Sequence, residues 1–187
     1  MTGASGTKCR GIAMADRWLI GQNVPWNAYW TAEDSYEVRN CRWASGMLAM
    51  WSPHKPGEGR PIFATPHMVR QRRSVAEYRC TVCGERTDWT DRWWFRLGST
   101  DVPGWALVTT ESPVHRACAD LATKVCPHLR ALGEGPVRFD HPDAVLRAIV
   151  GGAATDRDFG VQIAARNVIG HLKFAWRRTP ASMQKGT

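Results

Sequence analysis

The spacing of apolar and polar residues predicts a mixed α+β fold. Thr65 and Pro66 have the residue types of a helix N-cap and a first helical position. Met68, Val75 and Tyr78 then recur at roughly helical spacing. The sequence therefore predicts a helix that begins at Thr65-Pro66 and ends at about Tyr78.

Two strands and a second helix are predicted in the middle of the chain. In residues 92–97 alternate side chains share a face, and residues 105–110 are also strand-like. The Gly- and Pro-containing segment 98–104 would join them as a hairpin loop. Ser112-Pro113 repeats the N-cap and proline signal, and Pro127 would limit the helix that follows.

Two further helices are predicted near the C-terminus. A short one would run from Pro142 to Val150. A longer one would run from about Asp158 to Arg178, and its apolar stripe would consist of Val161, Ala165, Val168, Leu172 and Trp176. An acidic residue in its first turn and two arginines in its last turn suit the helix dipole.

The N-terminal part of the chain has no clear periodicity. Residues 16–63 are rich in tryptophan, with scattered Gly and Pro, and residues 34–50 fit either a helix or short strands. Residues 52–61 are a loop by their Pro and Gly content. The ten tryptophans of the chain fit large rings that fill a small core, and some of them also fit exposed anchors for a partner.

The positive charge lies outside the middle of the chain. The formal net charge is +8, which favours an acidic partner. Residues 1–79 carry 11 basic and 6 acidic side chains, residues 80–132 carry 6 of each, and residues 133–187 carry 8 and 5. The arginines of the first predicted helix would form either a solvated face or a phosphate-contacting surface.

Four residues with metal-ligand spacing frame the predicted hairpin. Cys80 and Cys83 form a CxxC pair, and His115 and Cys118 follow after 31 intervening residues. Positions three apart share one face of a helix, so the second pair can meet one ion. Three thiolates and one imidazole are a usual structural zinc sphere. The sequence therefore predicts one structural zinc ion bound by these four residues.

Cys126 and His128 are further ligand candidates. In a continuous helix Cys126 would lie roughly 12 Å along the axis from Cys118, too far to share the ion unless the helix breaks early. The two residues also fit a buried small hydrophobe and a cation near a helix C-terminus. Replacement of His115 by Cys126 or His128 in the metal sphere stays open at this point.

The order of CxxC knuckle, hairpin and ligand-bearing helix start resembles treble-clef zinc fingers over residues 80–126. The resemblance implies a small zinc-stabilised core. The fold predicted for the chain is a single α+β domain over residues 16–178, with a zinc module at 80–130 and a helical part at 140–178. A Trp-rich N-terminal layer and the two C-terminal helices would flank the core.

Enzymatic activity has little support in the sequence. Four protein ligands would leave zinc no open position for water or substrate. The H-x-E and P-C-x-x-C signature of zinc deaminases and the glycine motifs of nucleotide-binding enzymes do not occur. HNH nucleases resemble the knuckle but need a hairpin histidine, and residues 92–110 contain none. An unrecognised site in a Trp-lined pocket would use His54, His67 or Asp140.

These observations lead to a non-enzymatic zinc protein as the leading hypothesis, either associated with nucleic acid, as a DNA-binding zinc finger would be, or regulatory. Its predicted nucleic-acid contacts form one exposed basic face made of Arg70, Arg72, Arg73, Arg177 and Arg178. The alternative is a protein–protein interaction adaptor that exposes a patch of tryptophans.

The two ends of the chain are expected to be flexible, over residues 1–15 and 179–187. Met14 is a second candidate start. No apolar run reaches the length of a membrane span, and the small polar N-terminus lacks a secretory signal pattern. A cytoplasmic location, where thiols stay reduced, is the corresponding expectation.

Overall fold

The computed structural model describes residues 18–98, 101–150 and 167–180. The strands in these ranges are β1 (Ala28–Trp30), β2 (Glu37–Asn40), β3 (Leu48–Trp51), β4 (Pro61–Pro66), β5 (Leu107–Thr109), β6 (Ala144–Val150) and β7 (Val168–Trp176). The α-helices are α1 (Met68–Glu77), α2 (Arg116–Val125) and α3 (Pro127–Ala131), and short 3-10 turns lie at Thr31–Glu33, Arg42–Ala44 and Trp89–Asp91. The α+β class is confirmed.

Strand β7 is the centre of the main sheet. One of its edges pairs with antiparallel β6 along nearly its whole length. The other edge is shared, because Ile169 pairs with Ala49 of β3 and Phe174 pairs with Thr109 of β5. Strand β2 extends the sheet beyond β3, and β1 and β4 form a separate two-stranded sheet. The shared edge leaves a gap in the middle of β7.

Helix α1 fills this gap with a side chain. Gln71 Nε2 donates to the carbonyl oxygens of Leu172 and Thr110, at 2.8 Å each, and Leu172 N donates to Gln71 Oε1 at 3.1 Å. The amide of Gln71 thus makes with Leu172 the two hydrogen bonds that a residue of a neighbouring strand would make. Gln71 is buried, so these bonds lie inside the protein.

The arginines on either side of Gln71 are buried as well, at 1% exposure or less. Arg72 donates to the backbone oxygens of Met50 in β3 and Gly170 in β7. Arg70 makes two contacts of 2.7 Å with the carboxylate of Glu33. The predicted exposed basic face is therefore wrong for Arg70 and Arg72, because both guanidinium groups bind partners inside the fold.

Aromatic rings make up much of the core on the β7 side. Trp94 stacks on Phe139 with ring centroids 5.4 Å apart, and Phe139 meets Trp176 edge-on at 5.3 Å. Trp30, Trp94 and Trp176 are fully buried, whereas Trp18 and Trp89 are 45% and 47% exposed. The tryptophans thus divide between core filling and the surface.

The prediction of two C-terminal helices is wrong, because residues 144–150 and 168–176 are the strands β6 and β7. Exposed and half-buried positions alternate along β6, which is the period of a strand. The supposed helical stripe of Val168, Leu172 and Trp176 also fits a strand, since residues four apart share a face there too. The predicted helix start at Asp158 lies outside the described residues.

Helix α1 begins two residues later than predicted. Thr65 and Pro66 end strand β4, and His67 is the N-cap, because its Nδ1 accepts a hydrogen bond from Arg70 N at 3.3 Å. The predicted end is confirmed: Tyr78 adopts the left-handed conformation, with φ 51°, and stops the helix. Residues 34–50, left open between helix and strands, form β2, β3 and a 3-10 turn.

Helix α2 begins at Arg116, after the predicted N-cap at Ser112. It ends at Val125, before Pro127, as predicted. Residues 1–15, Met14 and residues 181–187 lie outside the described ranges. Across the described helices, none has both the length and the apolar character that a membrane span requires.

We expect Gln71→Ala to destabilise the protein strongly. The change leaves the N–H and C=O of Leu172 and the C=O of Thr110 without these buried partners, at a cost on the order of 3 kcal/mol. Urea denaturation measures the loss, and Gln22→Ala, at an exposed glutamine, is the control that should stay within about 0.5 kcal/mol of the parent. Equal unfolding free energies for the two variants would contradict the bridging role of Gln71.

Candidate metal centre

The CxxC knuckle follows directly after α1. Arg79 and Arg86 form an antiparallel bridge at its base. Cys80 N donates to Glu85 O at 2.8 Å, and Gly84 N donates to Cys80 O at 2.9 Å. Arg79 Nη1 also donates to Gly84 O at 2.8 Å. These bonds close the tight turn that carries both cysteines.

Gly84 is required in this turn for two reasons. Its φ is +83°, which L side chains rarely adopt, and an added Cβ would lie 2.7 Å from the ring of Trp26. Trp26 N in turn donates to Val82 O at 2.9 Å, and Asn27 N donates to Thr81 O at 3.2 Å. The N-terminal segment therefore packs directly against the knuckle and holds its shape.

The second ligand pair lies at the start of α2. His115 is the N-cap, and Cys118 lies in the first turn of the helix. Just before them, Val114 exchanges two backbone hydrogen bonds with Trp93, at 2.8 and 3.0 Å. Val114 also packs with Cys80 in a small buried apolar cluster. The helix start is thereby fixed next to the knuckle.

The four residues predicted as zinc ligands lie together. One ligand atom from each of Cys80, Cys83, His115 and Cys118 lies within 4.8 Å of all the others. His115 Nδ1 lies 3.4 Å from Cys83 Sγ and 3.9 Å from Cys118 Sγ. Around a tetrahedral zinc, with bonds of about 2.3 Å to sulfur and 2.0 Å to nitrogen, such atoms would lie about 3.5–3.8 Å apart. The residues present therefore fit a metal ion of this size.

The orientation of His115 also suits a metal ligand. Its Nε2 lies 3.1 Å from the backbone oxygen of Arg86. Because a carbonyl can only accept, the ring proton sits on Nε2 and leaves the Nδ1 lone pair available for coordination. Metal-bound histidines commonly make such a second hydrogen bond, which fixes the tautomer and the ring plane.

The thiols of Cys80 and Cys118 resist ionisation in the absence of a cation. Burial, followed by the charges and hydrogen bonds of Cys80 and Cys83, raises the pKa of Cys118. Burial also raises the pKa of Cys80, although backbone groups of Cys83 and His115 act in the opposite direction. A divalent cation reverses this balance, because it deprotonates thiols that coordinate it. The chemistry of the set is that of a thiophilic metal site.

The other ligand candidates do not belong to this group. The metal-capable group found among the described residues contains neither Cys126 nor His128. Helix α2 is continuous from Arg116 to Val125, Cys126 is its C-cap, and α3 begins at Pro127. The helix therefore does not break early, which was the condition for Cys126 to reach the ion.

The predicted hairpin between residues 92–97 and 105–110 is wrong. Leu107–Thr109 is strand β5 and pairs with β7. Trp93 pairs instead with Val114, and Trp94 pairs with Val137. Alternation shows that a segment is extended but not which segment pairs with it, so the sequence could not distinguish these partners. The knuckle and the ligand-bearing helix start are present, while the predicted treble-clef hairpin is not.

The remaining arginines of the predicted basic face lie on different elements. Arg73 belongs to α1, where its side chain is 34% exposed and lies 3.2 Å from the carboxylate of Glu77. Arg177 and Arg178 are exposed and follow the end of β7. Arg177 lies over the ring of Trp105, with its guanidinium carbon 5.6 Å from the ring centroid.

Histidine 67, a candidate for enzyme chemistry, is a structural residue. Its Nδ1 accepts from the backbone of Arg70, so its proton sits on Nε2, which lies 2.8 Å from Pro53 O and 2.9 Å from Ser52 Oγ. In this tautomer His67 cannot take the proton of Ser52. Burial, and then the charge of Arg70, lowers the pKa of His67 to about 4. The neighbouring serine and histidine therefore do not form a nucleophile and base.

The structure contains a cleft of about 500 Å³ between β2, β3 and α1, which the sequence suggested only as a Trp-lined pocket without a location. Trp43, Trp51 and His54 are among the residues that line it. The sequence signal was the recurrence of arginine and tryptophan from position 39 to position 51, which has no regular period. Asp140, another candidate, lies elsewhere, where its carbonyl oxygen accepts from Trp176 Nε1 at 2.9 Å.

We expect Gly84→Ala to destabilise the knuckle more than backbone strain alone would. Gly46, with φ +74° and nothing within 4 Å of an added Cβ, provides the matched control. Gly46→Ala should cost about 1–2 kcal/mol for its left-handed backbone. Gly84→Ala should cost clearly more in thermal or urea denaturation, because the methyl group meets the Trp26 ring. Similar losses of stability in both variants would show that the Trp26 ring can move aside without an energetic penalty.

The stability of the protein should fall as pH falls from 6.5 towards 4, partly because of His67. Its folded-state pKa of about 4 lies below its ordinary value of 6.5, so the unfolded chain binds the proton first. One such proton lowers the unfolding free energy by up to about 1.4 kcal/mol per pH unit. His67→Asn should remove this contribution to the slope of unfolding free energy against pH. His128→Asn, at an exposed position, is the control and should leave that slope unchanged. A slope unaffected by His67→Asn in urea titrations would refute the assignment.

The chain matches no protein-family model, no curated protein and no solved structure.

Proposed function

We propose that this chain is a non-enzymatic zinc protein in which Cys80, Cys83, His115 and Cys118 hold one structural zinc ion. The observation that carries the proposal is the spacing of their ligand atoms, which lie within 4.8 Å of one another. The Nδ1 atom of His115 lies 3.4 and 3.9 Å from two of the sulfurs, close to the separation of about 3.5–3.8 Å around tetrahedral zinc.

The ligand set favours zinc over other biological divalent ions. Thiolates are soft ligands, whereas magnesium and calcium prefer oxygen, and three sulfurs with one imidazole suit a tetrahedral ion. Four protein ligands also complete the sphere of zinc and leave no position for a substrate. A structural role follows, in which the ion stabilises the fold and performs no chemistry on a substrate.

The ion would join segments that otherwise share a small core. Val82, Val114 and Ala119 are the buried apolar residues that pack with Cys80 there, and Trp93, Phe95 and Ala122 pack against them while partly buried. Zinc binding would tie the knuckle to the start of α2 and, through the backbone bonds of Val114, to Trp93. A metal in this place compensates for the limited apolar area of the cluster, as structural zinc does in other small folds.

We further propose that the folded protein associates with nucleic acid, as a binding or regulatory factor. The support is the net charge of +8 and the exposure of arginines on several elements, such as Arg39, Arg42 and Arg177. Positive surface charge favours a polyanion and gives salt-dependent binding. Because Arg70 and Arg72 are buried, the nucleic-acid contacts proposed here do not include these two residues of the face predicted from the sequence.

Metal analysis of matched variants tests the zinc proposal. We expect one zinc per chain in the purified wild-type protein by inductively coupled plasma mass spectrometry. Cys83→Ser should lose most of the metal and lower the melting temperature, because it removes one of three thiolates. Cys126→Ser is the control, since Cys126 lies outside the ligand group, and it should keep full zinc.

Three results would contradict these proposals. A folded, reduced wild-type protein without zinc, or a Cys83→Ser variant that keeps full zinc, would refute the metal site. Absorbance at 260 nm on the same samples reports bound nucleic acid. Zinc at full stoichiometry with no binding to added oligonucleotide would leave the structural site in place and refute the nucleic-acid association.

A further inference from the structure

The cleft between β2, β3 and α1 has the size of a site for a small ligand. Its volume is about 500 Å³, within the range of roughly 300–1,000 Å³ of ligand pockets. Six of its lining residues matter here, and they come from four elements and one loop. They are Glu37 and Arg39 of β2, Trp43 of a 3-10 turn, Trp51 of β3, His54 of the following loop and Arg73 of α1. The cleft is separate from the four metal ligands.

Two indole rings form one wall of the cleft. The rings of Trp43 and Trp51 lie 6.2 Å apart and are tilted by 34°. Both side chains are half-buried. Guanidinium groups lie over both rings: Arg42 at 4.6 Å and Arg73 at 5.8 Å over Trp43, and Arg39 at 5.8 Å over Trp51. Planar cations at these rings show that a flat group can lie on this wall.

The position of Trp43 and Arg73 is fixed by one carboxylate. Glu77 Oε1 accepts from Trp43 Nε1 at 2.8 Å, and Glu77 Oε2 accepts from Arg73 at 3.2 Å and from Arg79 at 2.5 Å. Partial burial acts to raise the pKa of Glu77, but these hydrogen bonds lower it to about 2. The carboxylate therefore stays ionised and holds the indole and the guanidinium in a prepared arrangement.

The cleft also presents an exposed histidine, His54, which is oriented by Arg70. Arg70 is held by Glu33, and its Nη1 lies 3.2 Å from His54 Nδ1. The guanidinium can only donate, so Nδ1 accepts and the proton of His54 sits on Nε2. Burial and the charge of Arg70 also lower the pKa of His54. His54 is therefore a neutral donor at physiological pH.

The polar groups of the cleft are mostly hydrogen-bond donors. The exception, Glu37, already lies 2.5 Å from Arg39 in a pair whose two side chains are about half exposed. Such surface pairs contribute little, so an anionic ligand can compete for Arg39. Donors with positive charge next to an indole wall match a ligand that combines a phosphate with a flat aromatic ring.

We propose that this cleft binds one nucleotide unit, with its base on the Trp43–Trp51 wall and its phosphate at Arg39 and Arg73. The inference rests on the nucleic-acid association proposed above and gives it a place and a chemistry. The nucleotide unit would belong to a single-stranded nucleic acid, because the bases of a duplex are stacked inside it and cannot reach such a wall. An acidic peptide would use the arginines but not the flat wall.

Fluorescence anisotropy with a labelled thymidine oligonucleotide tests the proposal. Arg73→Gln should weaken binding and lower the slope of log affinity against log salt by about 0.7, since it removes one phosphate contact. Trp51→Leu should weaken binding about 5- to 50-fold by removing a stacking face and leave the slope unchanged. Near-ultraviolet circular dichroism checks that each variant is folded, and if Trp51→Leu fails this check, Arg73→Gln decides.

Arg116→Gln is the matched control. Arg116 also lies on a helix, over a tryptophan ring at 4.9 Å, with an acidic residue four positions later at 3.2 Å, but it does not line the cleft. Its substitution should change the affinity by no more than about twofold, whereas Arg73→Gln should exceed this.

The outcomes separate this inference from the proposed function. Oligonucleotide binding that Arg73→Gln and Trp51→Leu leave unchanged would overturn the cleft but keep the nucleic-acid association. Quenching of tryptophan fluorescence by adenosine monophosphate, without oligonucleotide binding, would keep the cleft and overturn the association. If neither adenosine monophosphate nor the oligonucleotide binds, the cleft proposal and the nucleic-acid association are both overturned. Competition by a glutamate-rich peptide as strong as that by the oligonucleotide would overturn the nucleotide as ligand.

Discussion

The backbone of strand β7 imposes the main constraint on this fold, because buried N–H and C=O groups need partners. Strands β3 and β5 pair with only parts of one edge, and the middle of that edge is completed by side chains of α1. Gln71 pairs with Leu172, and Arg72 reaches the carbonyl of Gly170. Helix α1 is thus held to the sheet by polar contacts at least as much as by apolar packing.

The placement of α1 in turn positions both candidate sites. The helix ends at Tyr78, and the knuckle with Cys80 begins two residues later, so the first candidate ligand has a nearly fixed place relative to the sheet. On the other side, Arg73 and Glu77 of the same helix face the tryptophans of the cleft. A single element therefore organises two sites that lie apart in the sequence.

Features that depend on local spacing could be predicted from the sequence, whereas features that depend on distant partners could not. The ligand pairs at 80 and 115 are local, because a CxxC turn and a helix start each determine where their own side chains lie. The burial of Arg70 and Arg72 depends on Glu33 and on open carbonyls of two strands, which no local pattern reveals. The prediction of C-terminal helices was wrong for a related reason. Residues four apart share a face in both helices and strands, so the apolar spacing does not distinguish them.

Glu77 connects the two sites. This carboxylate binds Trp43 and Arg73 of the cleft, and it also binds Arg79, which donates to Gly84 O and bridges to Arg86 at the base of the knuckle. The carbonyl of Arg86 accepts from His115, so hydrogen bonds and one backbone bridge connect the indole wall with a residue of the metal-capable group. The same carboxylate therefore contributes both to the arrangement of the cleft and to the order of the turn that carries Cys80 and Cys83.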